Sequence, residues 1–368
     1  HPMKNSKKPR IAVIGLKGLP AFGGAATVGE NIINQLKDKY DFTVYSVSSH
    51  TDLKTGEYNG YKQIVFKKIP FKRVNTLYYY ISSALHAVFL GKYDLVHLHH
   101  RDAAFIILIL KLRYKVILTT HNSFSITDKW EKYSKYFRIN EKYFVKYANI
   151  ITCVSKNEQR LYQKNIDITP IYIPNGINDN FKILSQKELQ KEDFIFFGAG
   201  RIIRTKGCDI LLKALHILNY NGKVVIVGDL NQIEDYKYEI LNLSKNLDVE
   251  FTGLIKDKGK LLSLLYISKL FVFPSETEAM STMLLEAASV KTPIIASDII
   301  PNKDIFDDNE VLFFKTNDEY DLANKIDYAL NNYPIMLEKA GNAYNKLIIN
   351  YNWINIAKNY NDLYKKLL

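Results

Sequence analysis

Short apolar segments alternate with amphipathic segments along the whole chain. The apolar segments have the length of strands and most of them end at polar or glycine-containing turns. The predicted strands are Arg10–Gly15, Phe42–Ser46, Gln63–Ile69, Asp94–Leu98, Lys115–Thr119, Ile150–Val154, Pro170–Ile173, Phe194–Gly198, Val224–Val227, Val249–Thr252, Leu270–Phe273, Pro293–Ser297 and Glu310–Phe314. The alternation favours α/β folding, and we expect two doubly wound parallel-sheet domains that face a central cleft.

Helical periodicity follows most of these strands. The predicted helices are Thr27–Lys37, Thr76–Leu90, a helix capped by Ser155 that runs to Lys164, Asp209–Leu218, a helix rich in Met, Leu and Ala that ends before Pro293, Tyr320–Leu330, Ile335–Tyr351 and Ile354–Leu367. A chain of 368 residues is too long for one ordinary core. The turn Pro174–Ile177 is therefore predicted to separate two domains, residues 1–178 and residues 179–351.

The charge is unevenly divided between the two halves. Residues 1–180 contain 27 Lys and Arg against 13 Asp and Glu, whereas the remainder contains 23 against 25. The basic excess indicates an anionic partner of the first half: a membrane surface, a phosphorylated acceptor or a nucleic acid. A general solubility bias is the other interpretation.

Aromatic and basic residues are interleaved in two parts of the first half. One surrounds the helix Thr76–Leu90, with Lys67 and Lys68 before it, and the other is the amphipathic segment Asp128–Lys146. Both patterns suit the headgroup region of a membrane, and both also suit a buried aromatic face with a solvated rim. The longest apolar run, Ala103–Leu110, is too short to span a bilayer. We expect a cytoplasmic protein with a peripheral contact at the inner membrane face.

Cysteine and histidine content limits the chemistry. The two cysteines, Cys153 and Cys208, provide no disulfide framework, which suits a reducing compartment. Histidines follow two predicted strands, in His99–Asp102 and at His121. They could bind hydroxyls, phosphate or a transition-state charge, and no spacing indicates a metal site.

Glycines end the first strand in the segment Gly15–Gly24, GLKGLPAFGG. They permit a phosphate or sugar to approach the backbone closely. The spacing is not GxGxxG, so a dinucleotide is not indicated.

The segment from Phe271 to Asp298 predicts a strand, a polar loop, a helix and a second strand. Two carboxylates, Glu278 and Glu286, lie in the loop and in the helix. They could face one ligand at the carboxyl end of the strand, where open parallel sheets bind ligands. Spacing alone favours the simpler interpretation, a capping Glu and a solvent-facing Glu.

Other polar groups and glycines follow the strands of the second half: Gly200, Arg201, Lys206, Gly228 and Gly253. Two cations, two carboxylates and a helix N-terminus together suit a nucleoside diphosphate. Arg201 and Lys206 would hold the diphosphate, and the glycines would let a base lie against the backbone.

Four segments of the second half resemble, in order and spacing, a retaining glycosyltransferase of family 4, which has the GT-B fold. They are GAGRIIRTKGCDILLKA, VVIVGD, VEFTGLI and FPSETEAMSTMLLEAASVKTPIIAS. Four segments of the first half are similar to those of a bacterial rhamnosyltransferase-like subgroup: IAVIGLKGLPAFGG, THNS, CVS and IPNGI. The end of the chain, residues 352–368, resembles the family's last helix, which packs back on the first domain.

The resemblance implies a role for each matching residue. Arg201 and Lys206 would neutralise the diphosphate, and Glu286 would hold the ribose. Glu278 and the backbone N–H groups of Ala279, Met280, Ser281 and Thr282 would orient the donor sugar. His121 would contact the sugar, while Gly23 and Gly24 would approach the diphosphate or the acceptor. Gly200, Gly228 and Gly253 would line the nucleotide.

The same resemblance implies the reaction. A hexose-type sugar would move, with retention, from a UDP or GDP donor to a lipid-linked or glycan acceptor in bacterial surface-polysaccharide synthesis. Neither a metal nor a further cofactor is expected. Two motifs depart from the family pattern: Ala279–Ser281 replaces Gly-Phe-Gly, and Ala26 stands where Glu is common. These departures concern the sugar pocket and an acceptor contact.

Two other functions are compatible with parts of the sequence. A nucleotide-sugar epimerase can share the two-domain fold and would need no acceptor. A basic nucleic-acid binder would use the positive first half and ignore nucleoside diphosphates. No nucleic-acid partner is expected, because the groups that suit a bound anion lie in the second half.

Overall fold

The computed structural model describes residues 7–21, 24–121, 142–177, 189–278 and 281–368. The chain forms two compact units, one from residues 1–176 with 351–368 and one from residues 177–350. Each unit is built on one sheet of mainly parallel strands, so the predicted α/β architecture is confirmed.

The first unit contains an eight-stranded sheet. Its strands are β1 (Arg10–Lys17), β2 (Asp41–Val47), β3 (Gly56–Tyr58), β4 (Tyr61–Phe66), β5 (Leu95–His99), β6 (Val116–Thr120), β7 (Ile150–Cys153) and β8 (Ile171–Tyr172). The order is β3-β4-β2-β1-β5-β6-β7-β8. Strand order reverses between β1 and β5, so their carboxyl ends border a crevice of the kind that binds ligands in open sheets.

Helices cover this sheet. They are α1 (Gly24–Leu36), α2 (Lys72–Phe89), α3 (Ile107–Leu110) and α4 (Lys156–Ile166). The predicted cap of α4 is confirmed, because the Ser155 hydroxyl accepts a hydrogen bond from the Glu158 N–H. Two short 3₁₀ turns, Arg101–Ile106 and Val145–Tyr147, lie beside α3.

The second unit contains a six-stranded parallel sheet of order β11-β10-β9-β12-β13-β14. Its strands are β9 (Phe194–Arg201), β10 (Lys223–Asp229), β11 (Asp248–Gly253), β12 (Leu270–Phe273), β13 (Ile294–Ser297) and β14 (Leu312–Phe314). Its helices are α5 (Cys208–Ile217), α6 (Glu234–Leu243), α7 (Lys258–Ile267), α8 (Thr282–Ser289), α9 (Ile300–Ile305), α10 (Glu319–Asn331) and α11 (Tyr333–Asn350). Here the strand order reverses between β9 and β12.

The last helix, α12 (Trp353–Leu367), packs into the core of the first unit. The Tyr40 hydroxyl donates to Asn361 Oδ1 at 2.9 Å, and Lys115 Nζ donates to the Leu367 carbonyl at 2.6 Å. A Cβ at Gly176 would lie 2.6 Å from the Trp353 ring, so only glycine fits below this side chain. The end of the chain is therefore part of the first unit's structure.

Several elements differ from the sequence prediction. The sheet of the first unit has an antiparallel edge, because β3 and β4 form a hairpin. Helices α6, α7 and α9 were not predicted. In α7 the partly buried Leu264 and Ile267 add apolar positions beside the buried Leu261, Leu262 and Leu265, so the pattern shows no clear helical stripe.

Parts of the prediction lie outside the described residues. They are Gly23, Ala279, Met280 and residues 128–141 of the amphipathic segment. Within the ranges that the structure describes, no helix has the length and apolarity needed to cross a bilayer.

Candidate functional site

The carboxyl ends of β9 and β12 bring the predicted site residues of the second unit together. Arg201 is the last residue of β9, and Lys206 ends a 3₁₀ turn, Arg204–Lys206, that follows it. Glu278 lies in the loop after β12. Because β9 and β12 are parallel neighbours, these groups share one edge of the sheet at the point where strand order reverses.

A close backbone contact fixes the Lys206 turn against the loop after β12. Lys206 Nζ lies 2.7 Å from Glu278 Oε1. The next residue, Gly207, has φ +76°, and a Cβ there would lie 2.2 Å from the Pro274 carbonyl oxygen. The Glu276 N–H donates to the Thr205 carbonyl at 2.8 Å. Glycine at position 207 thus permits the approach that places the ammonium beside the carboxylate.

A buried hydrogen-bond network holds the start of α8. The Ser281 hydroxyl donates to Asn302 Oδ1 at 2.6 Å, and Asn302 Nδ2 donates to the Ser297 carbonyl at 2.9 Å. The Ser297 hydroxyl in turn donates to the Ser275 carbonyl at 2.5 Å. Ser281 and Asn302 are fully buried, so only the backbone of Ser281 can serve a ligand. Thr282, the first residue of α8, is exposed.

Glu286 is on α8, and its side chain is 13% exposed. Its Oε1 is ion-paired with Lys258 Nζ. Its Oε2 is buried and accepts no hydrogen bond from the part of the chain that the structure describes. One oxygen of this carboxylate therefore has unused hydrogen-bonding capacity among the described residues.

The three predicted nucleotide-lining glycines differ in their surroundings. Gly228, with φ +145°, is packed so that a Cβ would lie 2.5 Å from the Ala199 carbonyl oxygen. Gly200 and Gly253 border open space, since a Cβ at either would have no neighbour within 4 Å. A ligand can therefore approach the backbone at Gly200 and Gly253, whereas Gly228 is needed for packing.

Arg204 supports the same turn from its other side. Its guanidinium is paired with Glu239, lies 3.7 Å from Asp209 Oδ2 and covers the ring of Tyr236 at 4.9 Å. The hydrogen bond from Arg204 holds the pKa of the Glu239 carboxyl below its ordinary value. Arg201, by contrast, is exposed at the sheet edge, where it can meet an anion.

In the first unit, the backbones of β1 and β5 are in close contact where Gly15 meets His99. Gly15 has φ +112°, and a Cβ there would lie 2.1 Å from the His99 carbonyl oxygen. The Tyr79 hydroxyl accepts the Gly15 N–H at 2.9 Å and donates to the Tyr45 carbonyl at 2.7 Å. The glycine-containing loop therefore begins at a fixed backbone position. Gly24 begins α1 at its other end.

His121 follows β6 and rests on His99. The two rings stack with centroids 5.1 Å apart, and His99 Nδ1 lies 2.8 Å from His121 Nε2. His97 stacks on His99 at 4.2 Å and forms 2.7 Å hydrogen bonds with Tyr364 and Thr119. Of the histidines at the ends of β5 and β6, His99 is buried, whereas His100 and His121 are partly exposed.

Burial keeps these imidazoles neutral. It lowers the pKa of His97 to about 3, and it lowers the pKa values of His99 and His121 well below the ordinary value, with a further contribution from neighbouring histidines. His121 is thus a neutral hydrogen-bonding group. Among the described residues, no three or more His, Cys, Asp or Glu side chains are arranged to hold a metal ion.

Some residues that support these sites were not predicted from the sequence as site residues: Tyr79, His97, Arg204, Lys258 and Asn302. Their partners lie between 5 and 267 positions away in the chain, and each contact depends on the packing of different elements. No local pattern of residues indicates such contacts.

Two protein families match consecutive parts of the chain. Glycosyltransferase Family 4 matches residues 22–181, and the family described as Glycosyl transferases group 1 matches residues 179–347. Together these matches span most of both units.

Similar proteins include an uncharacterised glycosyltransferase of Methanocaldococcus jannaschii, 28% identical over 85% of this chain and 86% of that protein. The UDP-Gal:alpha-D-GlcNAc-diphosphoundecaprenol alpha-1,3-galactosyltransferase of Escherichia coli is 26% identical over 57% of this chain and 59% of its own. The alpha-galactosylglucosyldiacylglycerol synthase of Streptococcus pneumoniae is 30% identical over 38% of this chain and 40% of its own.

Solved structures share the fold across nearly the whole chain. Sucrose-phosphate synthase of Thermosynechococcus elongatus has a TM-score of 0.73 at 21% identity, covering 98% of this chain and 99% of its own. Anabaena HepE in complex with UDP has a TM-score of 0.72 at 15% identity, covering 98% and 100%. At such low sequence identity, the structural similarity establishes the fold and nothing more.

The two parallel-sheet units and their strand-end sites define a protein of the GT-B class, which confirms the predicted fold. The chain belongs to the GT-B glycosyltransferases and is a transferase. The rhamnosyltransferase-like subgroup stays a prediction.

Proposed function

We propose that this glycosyltransferase moves a hexose-type sugar, with retention of configuration and without a metal, from a UDP or GDP donor to a lipid-linked or glycan acceptor. The observation that carries the proposal is the set of Arg201, Lys206, Glu278 and Glu286 around the carboxyl ends of β9 and β12. Cations, carboxylates and open backbone at one sheet edge match the parts of a nucleoside diphosphate sugar.

Each group has a proposed role. Arg201 and Lys206 neutralise the diphosphate as it leaves, which takes the place of a metal ion. Glu286 accepts ribose hydroxyls through Oε2. Glu278 and the backbone around Ser281 and Thr282 orient the sugar. We assign sugar hydroxyl binding also to the neutral His121, and a diphosphate or acceptor contact to the loop that ends at Gly24.

The activities and ligands of similar proteins support this donor and acceptor class. HepE was solved with UDP, and the Escherichia coli relative uses a UDP-sugar and an undecaprenol-linked acceptor. The Streptococcus relative makes a diacylglycerol glycolipid. We extend these features to this chain as a proposal.

Nucleotide binding tests the donor site. Isothermal calorimetry with UDP and GDP should show one of them binding, and Arg201→Ala and Glu286→Ala should each weaken that binding about tenfold or more. Unchanged affinity in both variants would remove the site assignment. Sugar transfer that persists in EDTA supports the metal-independent reaction, and transfer that EDTA abolishes contradicts it.

An epimerase of the same fold is distinguished by its product. When the donor sugar is incubated without acceptor, an epimerase converts it into another nucleotide sugar, whereas the proposed transferase leaves its stereochemistry unchanged. Anion-exchange chromatography and NMR of the recovered nucleotide sugar measure this directly.

An exposed apolar surface on the first unit supports membrane contact. We call it the apolar-basic patch, and it comprises Phe89 and Leu90 at the end of α2, Leu112 and Arg113 after α3, and Lys111, Lys146 and Tyr147. Phe89 and Leu112 are 72% and 75% exposed. Arg113 Nη1 donates to the Val88 carbonyl at 2.7 Å and Lys111 Nζ to the Tyr147 carbonyl at 2.8 Å, so the three segments are adjacent.

We propose that this patch binds an anionic lipid surface on the inner membrane face. Exposed aromatic and aliphatic side chains would enter the headgroup region while the cations meet lipid phosphates. The double variant Phe89→Ser/Leu112→Ser should lose most binding to vesicles that contain phosphatidylglycerol. Ile354→Ser, which removes an exposed apolar side chain elsewhere on the unit, should not.

Salt and lipid charge test the electrostatic part. Vesicle sedimentation should fall as salt rises and should be weak for neutral phosphatidylcholine vesicles. Equal sedimentation with neutral vesicles at high salt would contradict the proposal.

A further inference from the structure

The ion pair between Lys258 and Glu286 lies inside the proposed nucleotide site. Lys258 is the first residue of α7, in the segment that follows β11 and Gly253, and its side chain is 55% exposed. Glu286 comes from α8, 28 positions further along the chain. The pair therefore joins the end of β11 to the carboxylate proposed to hold the ribose.

The hydrogen-bonding capacity of this pair is only half used. The carboxylate directs Oε1 to Lys258 Nζ, and its buried Oε2 has no partner among the described residues. An ammonium has three donors and no acceptor, so Lys258 keeps donors for a ligand beyond the one aimed at Glu286. A carboxylate only accepts.

A hydroxyl group fits this combination, because it donates one hydrogen bond and accepts others. A hydroxyl that donates to Glu286 Oε2 can accept from Lys258 Nζ at the same time. Two neighbouring hydroxyls can share both groups, which matches the 2′,3′-diol of a ribose. A 2′-deoxyribose offers one hydroxyl fewer and would leave a charged, partly buried group unsatisfied.

We propose that Lys258 is a specificity-determining residue that binds the ribose diol together with Glu286 and selects ribonucleotide donors over 2′-deoxyribonucleotide donors. This rests on the proposed function, in which Glu286 receives the ribose. The alternative is an ion pair that only joins α7 to α8. Such a pair with an exposed lysine contributes little to stability, and if it only joins the two helices, its removal leaves the preference between ribonucleotides and deoxyribonucleotides unchanged.

Calorimetry with matched nucleotides tests the proposal on the full chain. UDP and 2′-deoxy-UDP share base and diphosphate and differ in one hydroxyl, and GDP with 2′-deoxy-GDP serves if the site takes guanine. The wild-type protein should bind the ribonucleotide about tenfold or more tightly than the matching 2′-deoxyribonucleotide. Lys258→Met should weaken ribonucleotide binding about tenfold and change deoxyribonucleotide binding less, so that the ratio of ribonucleotide to deoxyribonucleotide affinity falls.

Two further variants separate recognition from general charge and folding. Lys258→Arg keeps donors at this position and should restore most of the ratio. Lys260→Met removes a cation from the same helical turn and should bind like the wild type. The melting temperature of each variant verifies that the fold is retained.

The results distinguish this inference from the function on which it rests. If UDP or GDP binds, and Glu286→Ala weakens it, but Lys258→Met leaves the ratio unchanged, the role of Lys258 is overturned and the proposed function stands. If neither nucleotide binds the wild-type protein, the proposed function fails and the ribose proposal fails with it.

Discussion

Lys206 Nζ and Glu278 Oε1 lie 2.7 Å apart although 72 positions separate the two residues. The cation follows β9 and the carboxylate follows β12, on either side of the point where the strand order reverses. A diphosphate bound by Lys206 would therefore lie next to the carboxylate proposed to orient the transferred sugar. The pair places leaving-group binding and sugar binding side by side.

Removal of the Lys206 charge should reduce donor binding. In Lys206→Met the diphosphate loses a charge-assisted hydrogen bond, and Glu278 is left without its counter-ion, so we expect nucleoside diphosphate affinity to fall about tenfold or more by calorimetry. Lys213→Met, which removes a surface cation paired with Asp209 on α5, is the control. Equal affinities in the two variants would contradict the assignment.

Asn302 should be required for the loop after β12. Asn302→Leu leaves the Ser281 hydroxyl and the Ser297 carbonyl unsatisfied in a dry interior, at a cost of about 1–3 kcal/mol for each. Urea unfolding should show that loss, and the Michaelis constant for the donor should rise. Asn302→Asp keeps the acceptor for Ser281 and should be damaged less; an unaffected leucine variant would show that the network is unimportant.

Two glycines with similar backbone angles should respond differently to alanine. Gly207 and Gly253 have φ +76° and +73°, but a Cβ at 207 meets the Pro274 carbonyl at 2.2 Å, whereas one at 253 meets nothing within 4 Å. Gly253→Ala should cost only the backbone strain of about 1 kcal/mol. Gly207→Ala should cost more and displace Lys206 from Glu278. Similar melting temperatures for the two variants would contradict this.

The buried histidines should make the protein less stable in mild acid. The folded-state pKa of His97 is lowered to about 3 by burial, whereas an unfolded histidine has a pKa of about 6.5. The contribution of the neutral, buried histidine to the free energy of unfolding is therefore fully present above pH 6.5. It declines as the pH falls from 6.5 towards 3, by about 1.4 kcal/mol per pH unit for one such histidine.

Urea unfolding at pH 7.5, 6.5 and 5.5 measures this decline, before most carboxyl groups titrate. His97→Gln should flatten the slope, even though it lowers stability at every pH by breaking the hydrogen bonds to Tyr364 and Thr119. His216→Gln, which removes an exposed imidazole, is the control variant. Parallel slopes for His97→Gln and the wild type would refute the explanation.

Strand periodicity predicted the sheets more reliably than helix periodicity predicted the helices. The strands β9 and β12 contain short, continuous apolar runs, Phe194–Phe197 and Leu270–Phe273, because both faces of a parallel sheet are covered. Helix α7 lacks a clear stripe, and the hairpin of β3 and β4 lies at an edge. Their formation depends on neighbours more than on local pattern.

For the candidate site, the sequence by itself determined which residues follow the strands. Arg201, Lys206, Glu278 and Glu286 are recognisable because charged groups and glycines interrupt apolar runs there, and parallel strands put their ends on one edge. The tertiary structure alone decided that Lys258 pairs with Glu286, that Asn302 holds Ser281 and that His99 lies below His121. These contacts join residues of different elements, and their distances depend on how helices and loops pack on the sheet, which no local periodicity encodes.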